Sequence, residues 1–294
     1  MPDKNVTAGI THVIMAFANS SLFTTDPGGE YVPFKPVSAV RAMFDLGTKV
    51  CMAIGGWGDT DGFSAGAATD ASRKLYANNV AATVKRLGYD CVDVDWEFPG
   101  GNGEDYKRNG NSNKIYEIET FPLLLSEIKT AVGKCCELSI AVPALERDMI
   151  AFTAIKVLEI NNAIDFVNVM TYDLMNRRDN KTTHHTSLKG SLSAIETYIT
   201  RGFTPSKINL GFAFYAKWFT TAAGQKCDNP IDCPTDVLED ANGADTGKSG
   251  AMTFESSNFA SVPTDLTDSP DASCGAGTHY RCTANNCCGQ YGYW

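Results

Sequence analysis

Residues 90–97 carry four acids at a spacing suited to proton-transfer chemistry: Asp90, Asp93, Asp95 and Glu97. Alternate side chains of a β-strand point to the same face, so the last three acids would share one face and the apolar residues between them the other. Neighbouring carboxylates raise one another's pKa, because a second negative charge beside the first costs free energy. One of these carboxyls could therefore remain protonated near neutral pH and act as a general acid toward a leaving-group oxygen.

Glu97 is the best candidate for that acid, because it lies furthest toward the C-terminal end of the strand, where parallel β/α barrels carry their active sites. Asp95 is placed to hydrogen-bond Glu97 or a substrate, and Asp93 would share a proton with Asp95. Two other interpretations stay open. The segment could be a solvated acidic edge strand, or the three acids could bind a divalent cation. Since no further oxygen or histidine ligand stands nearby, we expect neither a metal nor a cofactor.

The elements that must position these acids are visible in the apolar pattern. Short, almost continuous apolar runs of strand length recur at residues 11–18, 49–54, 91–98, 138–142, 166–172 and 208–215. Stretches with helical spacing lie between them, at residues 72–87, 118–132, 153–160 and 191–200. Alternation of strands and helices over about 200 residues predicts an α/β protein with a parallel sheet.

Composition narrows the range of partners. The chain has 294 residues, 43% of them hydrophobic, and a formal net charge of −9. An acidic chain repels phosphate backbones, so we expect no nucleic-acid partner, whereas a neutral sugar polymer suits this charge. The sequence has no apolar run of the about 20 residues that a membrane span needs. We expect a monomer that binds neither nucleic acid nor membrane.

Ten cysteines are unevenly distributed along the chain. Cys51 and Cys91 stand in apolar, strand-like segments and are predicted to be free core thiols. Cys227 and Cys233 flank a short loop that a disulfide could close, and four more cysteines crowd residues 274–288. No zinc-type spacing accompanies them, so we expect disulfides and a secreted protein. The first residues lack the basic and apolar regions of a signal peptide, from which we expect that the natural N-terminus is missing.

The acid spacing and three other segments resemble the family 18 glycoside hydrolases, in the style of fungal chitinases. The signature Asp-x-x-Asp-x-Asp-x-Glu is complete at 90–97, and Ala-Ile-Gly-Gly-Trp at 53–57 resembles the motif of the third barrel strand. Met-Thr-Tyr-Asp at 170–173 and Leu-Gly-Phe-Ala-Phe-Tyr at 210–215 resemble the motifs of strands 6 and 7. The resemblance covers roughly residues 8–255 and implies a (β/α)8 TIM barrel.

The resemblance also implies roles for individual residues. Glu97 would be the general acid/base of a retaining reaction in which the 2-acetamido group of the substrate is the nucleophile, an exception to the two-carboxylate scheme. Asp95, sharing a proton with Asp93, would hydrogen-bond the acetamido N–H, and Tyr172 the acetamido carbonyl oxygen. The further substrate contacts that it implies are Trp57, Phe98, Met170, Asp173 and Tyr215. For the first three of these, a plain core position is the alternative.

The chain becomes loop-rich after the alternating region. Residues 274–294 resemble a hevein-type chitin-binding module, in which Tyr291 and Tyr293 would stack on N-acetylglucosamine. An arbitrary disulfide loop is the alternative. The expected organisation is a catalytic barrel over 1–255, a linker over 256–273 and this partial module over 274–294.

The six apolar runs correspond to strands 2 to 7 of the family's barrel, and none corresponds to strands 1 and 8. A barrel without those two strands is open and has exposed edges. We therefore expect a chain that is truncated at both ends and has weak activity or none. The expected function is endo-type hydrolysis of β-1,4-linked N-acetylglucosamine in chitin. A chitin-binding lectin, an endo-acetylglucosaminidase and an inactive fragment are the alternatives, and the retained Glu97 argues against the lectin.

Overall fold

In the computed structural model, which describes residues 6–253, 265–270 and 280–281, the apolar runs form one sheet of six parallel strands. Neighbouring strands follow chain order: β1 (His12–Ala18), β2 (Lys49–Gly55), β3 (Cys91–Asp95), β4 (Glu137–Pro143), β5 (Phe166–Met170) and β6 (Ile208–Leu210). The predicted α/β class with a parallel sheet is confirmed. Within the described residues, β1 and β6 are the two edges of this sheet.

The chain divides into two compact units. The first is Met1–Ala213 with Lys217–Gly250, and it contains the six-stranded sheet. The second is Phe214–Ala216 with Ala251–Trp294. Within the second unit, β9 (Thr267–Asp268) and β10 (Tyr280–Arg281) form a short parallel pair. Outside the described residues lie most of the predicted linker and module, including the aromatic candidates Tyr291 and Tyr293.

The last strand of the large sheet is shorter than the apolar pattern predicts. Residues 208–215 are predicted as one strand, but the pairing with β5 stops at Leu210. Tyr215 then begins a separate strand, β7 (Tyr215–Phe219), which pairs with β8 (Ser249–Thr253). Apolar character cannot mark the end of β6, because it continues unbroken into β7.

Among the described residues, six α-helices accompany the strands: α1 (Val37–Arg41), α2 (Asp61–Ala67), α3 (Asp70–Leu87), α4 (Ile115–Val132), α5 (Ala154–Ala163) and α6 (Leu188–Arg201). Sequence signals explain the ends of α3. The Thr69 hydroxyl accepts a hydrogen bond from Ser72 N in a capping box, and Gly88 ends the helix with a φ of 78°. No described helix combines the length and apolarity that a bilayer crossing requires.

The apolar face of β3 and the residue after it pack into the main core. Val92, Val94 and Trp96 are buried there. The Trp96 ring stacks on Phe63 of α2 at 5.3 Å and lies nearly perpendicular to Phe121 of α4 at 5.6 Å. The acids consequently occupy the opposite face. Because β3 lies between β2 and β4 and all its residues are buried, the edge-strand interpretation is wrong.

The cysteine prediction needs one correction. Cys51 and Cys91 are not free thiols but form a disulfide, and both are fully buried. They are register partners on the neighbouring strands β2 and β3, with Cα atoms 4.3 Å apart, so their proximity follows from the sheet register. The predicted bond between Cys227 and Cys233 is confirmed.

Candidate active site

Asp93 lies in the middle of β3, among polar side chains that the sheet register supplies. Its Oδ1 accepts hydrogen bonds from Ser139 Oγ at 2.5 Å and from Asn168 Nδ2 at 3.0 Å. Ser139 is its register partner on β4, and Asn168 of β5 in turn accepts a hydrogen bond from Asn209 of β6 at 3.1 Å. Burial raises the pKa of Asp93, and its two hydrogen bonds oppose that rise. Polar residues of three neighbouring strands, β4, β5 and β6, thus form a hydrogen-bonded series that ends at the Asp93 carboxylate.

Asp95 ends β3 and is 8% exposed. Its Oδ1 atom is buried and has no hydrogen-bond partner among the described residues. Burial, followed by the charge of Asp93, raises the pKa of Asp95 to about 7. A buried polar atom without a partner is costly, so this oxygen is suited to bind a polar group of a ligand.

Two glycines at the end of β2 allow the chain to approach Asp95 closely. Gly55 has a φ of 106°, and a Cβ at this position would lie 2.2 Å from the Asp95 carbonyl oxygen. Gly56 N donates a hydrogen bond to the same oxygen at 2.9 Å. A side chain at residue 55 would push the ends of β2 and β3 apart, which explains the need for glycine there.

Glu97 lies two residues beyond the end of β3 and is half-buried. Burial raises its pKa to about 8, and the negative charges of Asp95, Asp173 and Asp148 add to the rise. At neutral pH the Glu97 carboxyl is therefore protonated and able to donate a proton. A protonated acid beside a second carboxyl that ionises near neutral pH is the arrangement that acid catalysis with an electrostatic partner requires.

Tyr172 and Asp173 follow β5 and interact with the same acids. Burial, followed by the charges of Asp95 and Glu97, raises the pKa of Tyr172 to about 12, so its phenol O–H remains a hydrogen-bond donor. Asp173 has a positive φ of 54°, and its Oδ1 lies 3.1 Å from Lys217 Nζ. Since the charge of Asp173 also acts on Glu97, both residues are part of the acid cluster.

The other predicted substrate contacts differ in exposure. Trp57 is 49% exposed, so its ring offers a surface rather than core packing. Phe98 is 6% exposed, so its ring is buried, and the ring centre lies 6.3 Å from that of Trp57. Met170 ends β5 and is half-buried. Tyr215 begins β7, belongs to the second unit and is half-buried there.

Two charged residues at the site were not singled out from the sequence. Asp148 is buried in a 3-10 turn after β4, where burial raises its pKa although the charges of Arg178 and Arg147 oppose the rise. Arg178 follows β5, and its Nη1 lies 3.4 Å from Asp148 Oδ1. The sequence did contain a signal, because the charged runs at 146–148 and 177–179 come shortly after two of the predicted strands.

A groove of about 260 Å³ lies beside Asp173. Hydroxyls, two basic side chains, an aromatic ring and a disulfide line it: Thr182, Thr183, Thr221, Lys217, His185, Phe219, Pro230, Cys227 and Cys233. Its Lys217 and His185 approach the Asp173 carboxylate at 3.1 and 3.7 Å. In the described part of the chain, no group of three or more His, Cys, Asp or Glu side chains could hold a metal ion.

Residues 2–283 match the family model described as Glycosyl hydrolases family 18. Chitinase 1 from Aphanocladium album is 27% identical over 246 residues, which are 73% of this chain and 56% of that protein. Endochitinase 1 from Metarhizium robertsii is 30% identical over 187 residues, which are 60% of this chain and 42% of that protein. The chain thus spans about half the length of the curated relatives it matches.

A solved structure with similar architecture is catalytic domain 2 of the Ostrinia furnacalis Group II chitinase. It matches with a TM-score of 0.60 at 22% identity, over 77% of this chain and 61% of that one. A mutant of the same domain has been solved in complex with penta-N-acetylchitooctaose, (NAG)5. This likeness shows an α/β fold of the TIM-barrel type, of which the described residues contain six parallel strands.

Proposed function

Because the chain belongs to glycosyl hydrolase family 18, we propose that it is a chitinase that hydrolyses the β-1,4 linkages between N-acetylglucosamine units of chitin. The observation that carries this proposal is the pair of Glu97 and Asp95, whose pKa values are raised to about 8 and about 7 at the C-terminal end of a buried strand. Relatives that are named chitinases, and the (NAG)5 complex of a similar domain, support the choice of chitin and chito-oligosaccharides as substrate.

Glu97 acts first as the acid and then as the base. Its proton passes to the glycosidic oxygen as the linkage breaks, and the carboxylate that remains later takes a proton from the attacking water. The reaction retains configuration, because the acetamido carbonyl of the substrate attacks the anomeric carbon and water then opens the resulting oxazolinium ion. The raised pKa of Glu97, caused first by burial, keeps the proton available for the first step.

Asp95 and Tyr172 hold the acetamido group during this attack. The buried Oδ1 of Asp95, unpartnered among the described residues, accepts a hydrogen bond from the acetamido N–H, and its charge stabilises the oxazolinium ion. Asp93 shares a proton with Asp95. The protonated phenol of Tyr172 donates a hydrogen bond to the acetamido carbonyl oxygen. The residues of the first unit that contact the rest of the sugar chain are Trp57, Phe98, Met170 and Asp173. For Tyr215, in the second unit, a sugar contact stays a prediction from the sequence.

The protein works outside the cell as a monomer. The two disulfides among the described residues support an oxidising compartment. Residues 274–294 add a chitin-binding module, in which Tyr291 and Tyr293 stack on the polymer, to the catalytic barrel of residues 1–255. No cofactor takes part, because Glu97, Asp95 and the substrate's own acetamido group supply every step.

The stereochemistry of the product tests this proposal. We expect proton NMR of a chito-oligosaccharide digest to show the β-anomer as the first product, before mutarotation. The α-anomer would exclude the substrate-assisted route. Binding to chitin without any product would instead identify a lectin. Release of sugar from glycoproteins, with chitin left intact, would identify an endo-acetylglucosaminidase.

A further inference from the structure

We propose that Arg178 is a positioning residue of the active site, whose guanidinium holds three neighbouring loops in place around Glu97. The role rests on the proposed function of Glu97. Arg178 lies in the loop after β5, and its side chain is mostly buried. A guanidinium is planar, carries donors along its edges and stacks on aromatic faces, so one arginine can hold several groups at once.

The edges of the guanidinium bind the loops after β3 and β4. Nη2 donates hydrogen bonds to Asn102 O at 2.8 Å and to Gly103 O at 3.0 Å. Nη1 lies 3.4 Å from Oδ1 of Asp148. Hydrogen bonds from a charged donor are stronger than neutral ones, so these contacts restrain both loops.

The guanidinium also lies over two aromatic rings. Its central carbon lies 4.0 Å from the ring centre of Tyr106 in the loop after β3 and 5.7 Å from that of Trp57 after β2. The Tyr106 hydroxyl donates a hydrogen bond to Glu239, which fixes that ring. Arg178 thereby holds the half-exposed Trp57 ring in one orientation, as a stacking platform for sugar requires.

The loop that Arg178 binds packs directly on the proposed acid. A Cβ at Gly103 would lie 2.5 Å from the Glu97 carbonyl oxygen, so the backbone of this loop touches the peptide of Glu97. Arg178 donates a hydrogen bond to the Gly103 carbonyl, so removing the Arg178 side chain would loosen the contact between Gly103 and the Glu97 peptide. Arg178 also partly neutralises Asp148, whose charge acts on Glu97. One side chain therefore influences the position of the acid and the charge around it.

The kinetic test compares Arg178→Met with Arg178→Lys and with Arg177→Met, on a fluorogenic chitobioside. The methionine variant loses every donor, and we expect kcat to fall about 100-fold, the cost of misplacing a reacting group by about 1 Å. KM should rise about threefold because Trp57 is no longer held. Lysine keeps the positive charge but lacks the planar set of donors of a guanidinium, so kcat of Arg178→Lys should be about tenfold higher than that of Arg178→Met. Arg177, which pairs with Asp245 at 3.2 Å, is the matched control and should stay within about twofold of wild type.

A second readout does not depend on turnover. The indole N–H resonance of Trp57, assigned with a Trp57→Phe variant, should shift in Arg178→Met and Arg178→Lys but not in Arg177→Met. Should the methionine variant fail to fold, the lysine variant carries both readouts. An unshifted Trp57 resonance, or a kcat within about threefold of wild type, would overturn the role of Arg178. If the wild-type protein shows no turnover, the proposed function is contradicted instead. The shift of the Trp57 resonance would then be the remaining test of the positioning role of Arg178.

Discussion

Replacing Glu97 by Gln is expected to stabilise the fold at alkaline pH while it slows hydrolysis at least about 100-fold. Burial, aided by neighbouring acids, raises the pKa of Glu97 from its ordinary 4.5 to about 8. A carboxyl whose pKa is raised by folding contributes full stability below its unfolded-state pKa, and it loses that contribution as the pH rises through the folded-state pKa. For Glu97 the loss occurs between pH 4.5 and about 8. Glutamine keeps the shape of the side chain without the charge, so the variant does not lose stability in this way.

The magnitude follows from the two pKa values. They differ by about 3.5, which at about 1.36 kcal/mol per pH unit gives an upper bound of about 5 kcal/mol. Two effects reduce this value. Asp95 shares part of the cost, because burial and the charge of Asp93 raise its pKa to about 7. In addition, a half-buried carboxylate is partly solvated by water, which lowers the cost of its charge. We therefore expect a gain of about 2 kcal/mol for Glu97→Gln above pH 8, which raises Tm by about 4 °C in a domain of this size.

Thermal unfolding at about pH 4 and about pH 8.5 measures this gain. Glu196→Gln is the matched control, because it makes the same chemical change on the exposed face of α6. The Tm advantage of Glu97→Gln should be near zero at the lower pH and about 4 °C at the higher one, and the control should match wild type at both. A Tm at or below wild type at pH 8.5, or the same advantage at both pH values, would refute the raised pKa of Glu97.

Three other outcomes depend on the same contacts. Asp95→Asn removes the charge that is the second cause, next to burial, of the raised pKa of Glu97. The alkaline limb of the pH–rate profile of the residual activity should therefore move to lower pH, and an unmoved limb would contradict the interaction between Asp95 and Glu97. Replacing Cys51 and Cys91 by Ala opens a crosslink between residues 40 apart in sequence and should cost about 4 kcal/mol in urea unfolding, whereas an unchanged midpoint would show that the bond does not contribute. Gly55→Ala should lower the free energy of unfolding by more than about 3 kcal/mol, because the new methyl group meets the Asp95 carbonyl oxygen. Gly47 is the control, because it has a φ of 97° and open space around it, and Gly47→Ala should cost about 1 kcal/mol. Equal losses would show that backbone conformation alone is responsible.

The acidic face of β3 could be predicted because it depends only on local alternation. Asp95 and Glu97 share a face by the two-residue period of a strand, and the apolar residues between them identify the buried side. The same spacing does not distinguish catalytic from structural acids. Asp90, the first acid of the series, lies at the amino end of β3, where its Oδ2 accepts hydrogen bonds from Val50 N at 2.8 Å and from Arg41 at 2.5 Å.

The buried disulfide and the role of Arg178 could not be predicted, because both depend on which residues face one another across the fold. Cys51 and Cys91 are partners only through the register of two parallel strands, which a long connection separates. Arg178 reaches Asn102 from 76 residues further along the chain. Local patterns indicate which strands exist and which side of each is buried, but they do not pair residues on different loops.

The ratio of kcat between wild type and Glu97→Gln on a fluorogenic chitobioside near pH 6 tests the central claim most directly. Loss of a general acid typically costs about 10² to 10⁴ in rate, so the variant should lose at least about 100-fold while Glu196→Gln retains full activity. A Glu97→Gln variant that keeps more than about a tenth of the wild-type kcat would contradict the assignment of Glu97 as the acid.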